Sequence, residues 1–298
     1  MPFHPAPPTD LHALVDAFEH TVQAIIDLGQ TCSTADFDTP TECPGWSVKD
    51  QLSHVVGLET WLDGGRAPRV ALPSLEHVSA GVGEFNELWV EERRGLEGPD
   101  VVGELEDVLV SRMSALHDPA LTPETTMKGV TGPGPAAKVT RFRVVDVWCH
   151  EQDIRTALGR PGDLDSAGAA AFVGVIFAAL SKIVARDAGV EPGHTVILDV
   201  TGPVVGRAGV RVIRGADGRP YGEELFTGDS PDRGAGGAGG ARGHEASGGT
   251  TSITLSTDAL TRRAAGRRSV DDLTYSVSGG RDDEGIARRV LERLVLTP

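Results

Sequence analysis

A chain of 298 residues, 39% hydrophobic and 24% charged, can bury a sizeable core and has length enough for two ordinary domains. Its net charge of −15 is spread along the chain, which argues against nucleic-acid or anionic-membrane partners, since both need clustered Lys and Arg. The three cysteines, Cys32, Cys43 and Cys149, form no CxxC pair or disulfide framework, and MPFHPAPPTD lacks the basic-then-apolar pattern of a leader, so a reducing, cytoplasmic setting is expected.

From Asp10 to Ala188 the periodicity is helical. Asp10 caps a first helix with Leu11, Leu14, Val15, Phe18, Val22, Ile25 and Ile26 on one face, and Gly29 ends it. A loop rich in Thr, Asp and Pro follows, TCSTADFDTPTECPG. The second helix starts where Ser47 and Asp50 stand in the S-x-x-D capping-box relation, runs through Leu52, Val55, Val56 and Trp61, and stops at Asp63-Gly64-Gly65. A third is expected over 77–95 with Val82, Phe85, Leu88 and Trp89 inward, and a fourth over 101–116. Residues 121–137 read as a loop, and a fifth helix runs from Thr140 to the LGRPG stop at 158–162. The sixth, from about Ser166, contains AAAFVGVIFAALSKIV. Interrupted by Lys182 and followed by Arg186 and Asp187, it falls short of a membrane span and reads as a buried helix.

After Gly193 the pattern changes. HTVILDVTG alternates and is β-branched, so 195–201 reads as a strand, and 210–214 as a second one turned by Ala216-Asp217-Gly218. The low-complexity run 233–249, RGAGGAGGARGHEASGG, is expected to be a flexible loop. Then come a strand at 250–257, a short helix in DALTRRAAGR, a strand in LTYSVSGG and a last helix in DDEGIARRVLERL. The expected division is a helical domain over 1–190 and a small α+β domain with a mainly antiparallel sheet over 191–298.

The stretch most suggestive of chemistry is FRVVDVWCHEQDIRTALG, residues 142–159. Asp146 and His150 are four apart, which on a helix stacks carboxylate and imidazole on one face with Cβ atoms about 5–6 Å apart. Zinc takes such N and O donors, and a catalytic site needs three protein ligands and an open position. His54, on the capped second helix between Leu52, Val55 and Val56, is the candidate third ligand. The plainer alternative is that Arg143 or Arg155 pairs with the acids and both histidines are ordinary core residues. Cys149 points about 100° away from His150 around the helix and is a poor co-ligand. The glycines at 236–240 lack the GK[ST] ending of a phosphate loop.

CPGWSVKDQLSHVVG, residues 43–57, resembles the motif C-P-G-W-[ST]-V-x-D-x-x-x-H, and DVWCHEQDIRTALGRPG, residues 146–162, resembles [DE]-x-W-x-H-E-x-D-I-R. Together they resemble the mycothiol-dependent maleylpyruvate isomerase family, within the DinB-like four-helix-bundle metalloproteins. The C-terminal half, through TTSITLSTDALTRRAAGR at 250–267, is similar to the sterol-carrier-like α+β domain that follows the bundle. The resemblance implies a divalent metal, zinc by expectation, on His54, Asp146 and His150, with mycothiol as thiol cosubstrate. It further implies an enzyme, a cis-trans isomerase or a thiol S-transferase, in which a metal-bound thiolate attacks a small electrophile. Glu151, Asp153 and Arg155 are expected to orient His150, complete ion pairs or meet substrate, while Arg267 and Arg281 meet an anion or stay solvated. The chain departs from the characterised isomerase type by carrying Asp146 in place of Glu, one methylene shorter, and by its long Gly-rich insertion. The rival readings are a DinB-like metal-dependent hydrolase and a non-catalytic metal-binding or regulatory module. A monomer or homodimer acting on small molecules is expected.

Overall fold

The computed structural model describes residues 3–75, 77–78, 81–226, 248–280 and 282–297. It divides into two compact units, one over 8–163 and the other over 164–298 together with 1–7.

In the first unit, Asp10 accepts from the Ala13 amide at 2.9 Å and starts α1 (Leu11–Gln30), whose buried face carries Leu14, Val15, Phe18, Val22, Ile25 and Ile26. A single turn, α2 (Thr34–Phe37), sits inside the expected loop, fixed by a Ser33–Asp36 capping box. α3 (Val48–Leu62) begins at the Ser47–Asp50 box and buries nearly every residue from Val48 to Glu59. α4 (Val82–Arg93) and α5 (Gly98–Leu116) follow. Two short antiparallel strands, β1 (Thr126–Met127) and β2 (Gly134–Pro135), lead into α6 (Ala136–Leu158). That helix ends at Gly159 with φ 62°, a left-handed cap that glycine adopts without strain. α1 packs on α5 and α6, and α3 packs on the same two, so these four helices close a ring; α4 lies on α3.

Two expectations are corrected here. The third helix starts at Val82, not at 77, and Val82 is 58% exposed rather than inward. The inward face of α4 carries Glu87, Trp89, Val90 and Arg93. Two of these are charged and stay buried because they are paired: Glu87 accepts from Trp46 Nε1 at 2.8 Å, and Arg93 Nε donates to Glu104 at 2.7 Å. The fifth helix begins at Ala136, behind Pro135, rather than near Thr140.

In the second unit, α7 (Ala167–Lys182) runs into a π turn at Ile183–Asp187. Then come β3 (Thr195–Thr201), β4 (Val205–Arg214), β5 (Pro220–Leu225), β6 (Thr250–Leu255), α8 (Thr257–Ala264), β7 (Tyr275–Ser278) and α9 (Asp283–Arg293). The sheet order is β5-β4-β3-β6-β7, antiparallel at every pairing except the parallel β3–β6. In the central register Leu198 lies opposite Ala208 on one side and Ile253 on the other. α7 packs on β4, β5 and α8, and α9 on β6 and β7.

The unit boundary therefore falls between Asp163 and Leu164, not at 190. Helix α7 is apolar on nearly all sides, and Ala169, Phe172, Val173, Ile176 and Leu180 are buried, so it needs the broad face that a sheet supplies. With its π extension, Ala167–Asp187 has the length and composition to cross a membrane, but most of it is buried in the fold. Strand β5, absent from the expected elements, is an edge strand whose PYGEEL has little apolar alternation. The expected Gly-rich loop at 233–249 lies outside the described residues except for Gly248 and Gly249, as does Arg281.

Candidate metal centre

Helix α3 supplies His54, and α6, packed against it, supplies Asp146 and His150 one turn apart. One donor atom from each lies within 4.8 Å of the other two. His54 Nε2 is 3.6 Å and His150 Nε2 3.8 Å from Asp146 Oδ2, and the imidazole centroids are 4.5 Å apart at 62°. These are separations that one ion between them would bridge, and they are too long for hydrogen bonds. The Trp46 ring lies 5.0 Å from His54 and 6.0 Å from His150, covering both.

The residues fit a divalent metal. His54 is 1% exposed, and neither ring nitrogen has a hydrogen-bond partner among the described residues. A buried polar atom left without a partner is costly, and a cation at the common point would satisfy Nε2. Burial, reinforced by His150, lowers the His54 pKa to about 4 against the opposing pull of Asp146, so at neutral pH the imidazole is uncharged and its lone pair available. Burial pushes the Asp146 carboxyl up, but the Arg143 charge and the two imidazoles outweigh it and hold the group well below the usual carboxylate range. Two imidazole nitrogens and one carboxylate are the donor types that a divalent-metal site with an open position uses.

Arg143 answers the alternative raised by the sequence. Its Nη1 does pair with Asp146 Oδ2, at 2.6 Å. An ionised carboxylate has about four lone-pair sites, so this bond leaves room for a metal. Arg143 Nε donates to Glu59 Oε1 at 2.7 Å, and Arg112 Nε donates to Glu59 Oε2 at 2.9 Å, all three side chains being buried. Two guanidiniums, Arg143 and Arg112, thus face two carboxylates, Asp146 and Glu59.

Of the remaining expected residues, Asp153 Oδ2 lies 3.7 Å from His150 Nδ1, and Gln51 Oε1 is nearer at 2.6 Å. Glu151 accepts from Arg155 Nε at 2.6 Å, and Arg155 Nη1 reaches the Arg160 carbonyl at 3.4 Å, so this pair serves the turn after α6. Burial and then the Asp163 charge push the Glu151 pKa up to about 8. Sequence reasoning missed Gln51, Trp46, Glu59 and Arg112. For Gln51 a signal existed: it stands three residues before His54, which on a helix puts the two side chains on one face.

A ring of helices in which two imidazoles and a carboxylate converge on one point defines a helical protein with a candidate divalent-metal centre. Residues 18–155, most of the first unit, match the family profile described as mycothiol maleylpyruvate isomerase N-terminal domain. Two solved structures share the fold. One is the crystal structure of the mycothiol-dependent maleylpyruvate isomerase, at 14% identity and TM-score 0.50. The other is that of a histidine-to-alanine mutant of the mycothiol-dependent maleylpyruvate isomerase, at 15% identity and TM-score 0.52. Each alignment covers 90% of this chain and 93% of that chain. No curated protein sequence matches the chain.

Proposed function

We propose that this chain is an enzyme that holds one divalent ion, zinc in the first instance, on His54, Asp146 and His150 and uses mycothiol against a small electrophile, by cis-trans isomerisation or thiol S-transfer. The observation that carries the reading is the buried, unpartnered imidazole of His54 facing two further donors within 4.8 Å. When bound, the ion would supply a Lewis-acidic open position that lowers the pKa of a thiol.

The chain's own residues do the rest. Arg143 keeps Asp146 ionised and oriented, and burial keeps His54 neutral. Trp46, anchored by its Nε1 bond to Glu87, covers both histidines and excludes water from them. Arg143, whose Nη2 has no hydrogen-bond partner among the described residues, also lines a cavity with Lys138, Val139, Phe142 and the 129–134 loop. Arg143, which pairs with Asp146, thereby links this cavity to the ligand set, and the cavity is the proposed place for the electrophile. The reading includes a DinB-like four-helix bundle, a sterol-carrier-like second domain, and a cytoplasmic monomer or homodimer with small-molecule partners.

Metal analysis of the purified protein tests it. The expected result is one divalent ion per chain, lost in His54→Ala, and a cobalt-substituted spectrum that shifts with mycothiol but not with simpler thiols. Absence of stoichiometric metal sinks the proposal. Metal with no response to any thiol would favour hydrolysis by a water at the open position.

A further inference from the structure

We infer that Gln51, itself held by Thr41, is the positioning residue that fixes the ring of His150 with its Nε2 lone pair free to ligate. The inference rests on the metal-centre reading above and deepens it.

A chain of hydrogen bonds carries it, and donor and acceptor identities force its direction. The Trp46 carbonyl oxygen can only accept, and the Thr41 hydroxyl donates its one proton there at 2.8 Å. Thr41 Oγ1 then accepts from Gln51 Nε2 at 2.8 Å and from the Cys43 amide at 3.2 Å. With its amide nitrogen so engaged, Gln51 turns Oε1, an acceptor only, towards His150 Nδ1 at 2.6 Å. Nδ1 therefore carries the ring proton, and Nε2, 3.8 Å from Asp146 Oδ2, carries the lone pair. The Asp153 carboxylate is too far away at 3.7 Å to make this bond. Gln51 is fully buried and His150 nearly so, which leaves little access for water as a substitute partner.

The loop and first turns around Cys43-Pro44-Gly45-Trp46 thus act twice. They start the helix that presents His54, and through Thr41 and Gln51 they orient a ligand 99 residues further along the chain. A partner on the far nitrogen of a ligating imidazole sets its tautomer and orientation, and losing such a partner costs about 10- to 100-fold in metal affinity.

The test reads the tautomer without metal and the affinity with it. Long-range proton–nitrogen-15 spectra of the metal-free protein report which His150 nitrogen is protonated, and titration with cobalt(II) gives affinity and ligand field. Wild type is expected as the Nδ1–H form. Gln51→Leu is expected to populate the Nε2–H form and to weaken cobalt binding about 10- to 100-fold. Gln51→Glu, which restores an acceptor, is expected to keep wild-type tautomer and affinity, and Thr41→Val to fall between the two. Should Gln51→Leu fail to fold, the shape-conserving Gln51→Glu and Thr41→Val variants still decide. An Nε2–H wild type, or a Gln51→Leu protein with unchanged tautomer and affinity, overturns the assignment. A wild type that takes up no cobalt overturns the metal reading instead, and the tautomer then supports or overturns the role of Gln51 by itself.

Discussion

Glu59 holds together the charges of the centre although it touches none of the three proposed ligands. It accepts from Arg143 with one oxygen and from Arg112 with the other, and all three side chains are buried. Removing one partner of a buried ion pair leaves charge uncompensated in a poor solvent for it, which costs about 3–5 kcal/mol. Glu59→Leu takes from Arg112 its carboxylate and leaves Arg143 with Asp146 alone, so a loss within that range is expected in urea unfolding. A loss under about 1 kcal/mol, the level of an exposed pair, would show that the network is not buried as described. Glu151 makes a different prediction for the metal-free protein. Its pKa is raised from 4.5 to about 8 by burial and by Asp163, so between these values the folded state binds more protons than the unfolded state. Its contribution is fully present below about pH 4.5 and is lost as pH rises through 8, by an amount on the order of a few kcal/mol. Glu151→Gln, which mimics the protonated acid, is expected to flatten the melting temperature across that window and to exceed wild type above pH 8. Parallel pH profiles for the two proteins would refute the raised pKa. At this scale the sequence made part of the centre legible. Asp146 and His150 share a helical face by spacing alone, whereas Glu59 meets Arg143 from 84 residues away and Gln51 meets His150 from 99. No local pattern encodes such pairings.

Helix α3 presents His54, Gln51 and Glu59, and its start and its packing are separable. Its start is written locally: Ser47 accepts from the Asp50 amide while Asp50 accepts from the Ser47 amide, the reciprocal pattern that the S-x-x-D spacing implies. Its packing is not. A methyl group at Gly57 would stand 2.3 Å from Trp89 Cβ, so α4 approaches α3 as closely as a missing side chain allows. Gly57→Ala is expected to push the helices apart at a cost of about 1–3 kcal/mol despite the better helix propensity of alanine, and to disturb His54 one turn earlier. Denaturation with bound-metal analysis checks both effects; a stabilised protein would mean that the contact yields easily. The other elements divide along the same line. β3 and the start of α1 were legible because alternation and a cap are local signals. The face of α4 was misjudged because buried Glu87 and Arg93 mimic a solvent side, and β5 was missed because an edge strand need not look apolar.

For the whole molecule, the placement of α7 decides which fragments can exist alone. Periodicity makes α7 look like the sixth helix of a helical domain, which is why the sequence suggests a cut near 190. Its all-round apolarity carries the opposite implication, and the fold follows that one: α7 packs on β4, β5 and α8. A fragment ending at 190 would keep α7 without those partners and present Phe172, Val173, Ile176 and Leu180 to water. At about 25 cal/mol per Å2 of apolar surface, four such side chains amount to roughly 6–12 kcal/mol of lost burial, comparable to the entire stability of a domain. The 8–163 fragment ends before α7 begins. It holds the complete helical ring, the family match at 18–155, the three proposed ligands, and Thr41, Gln51, Glu59, Arg112 and Arg143. Expressed side by side, 8–163 is expected to be soluble, helical by circular dichroism and cooperative in its melt, and to bind cobalt with near wild-type affinity. The 1–190 fragment is expected to aggregate on size-exclusion chromatography. If 1–190 is instead the better behaved of the two, α7 belongs with the helical ring, and the division at Asp163 is wrong.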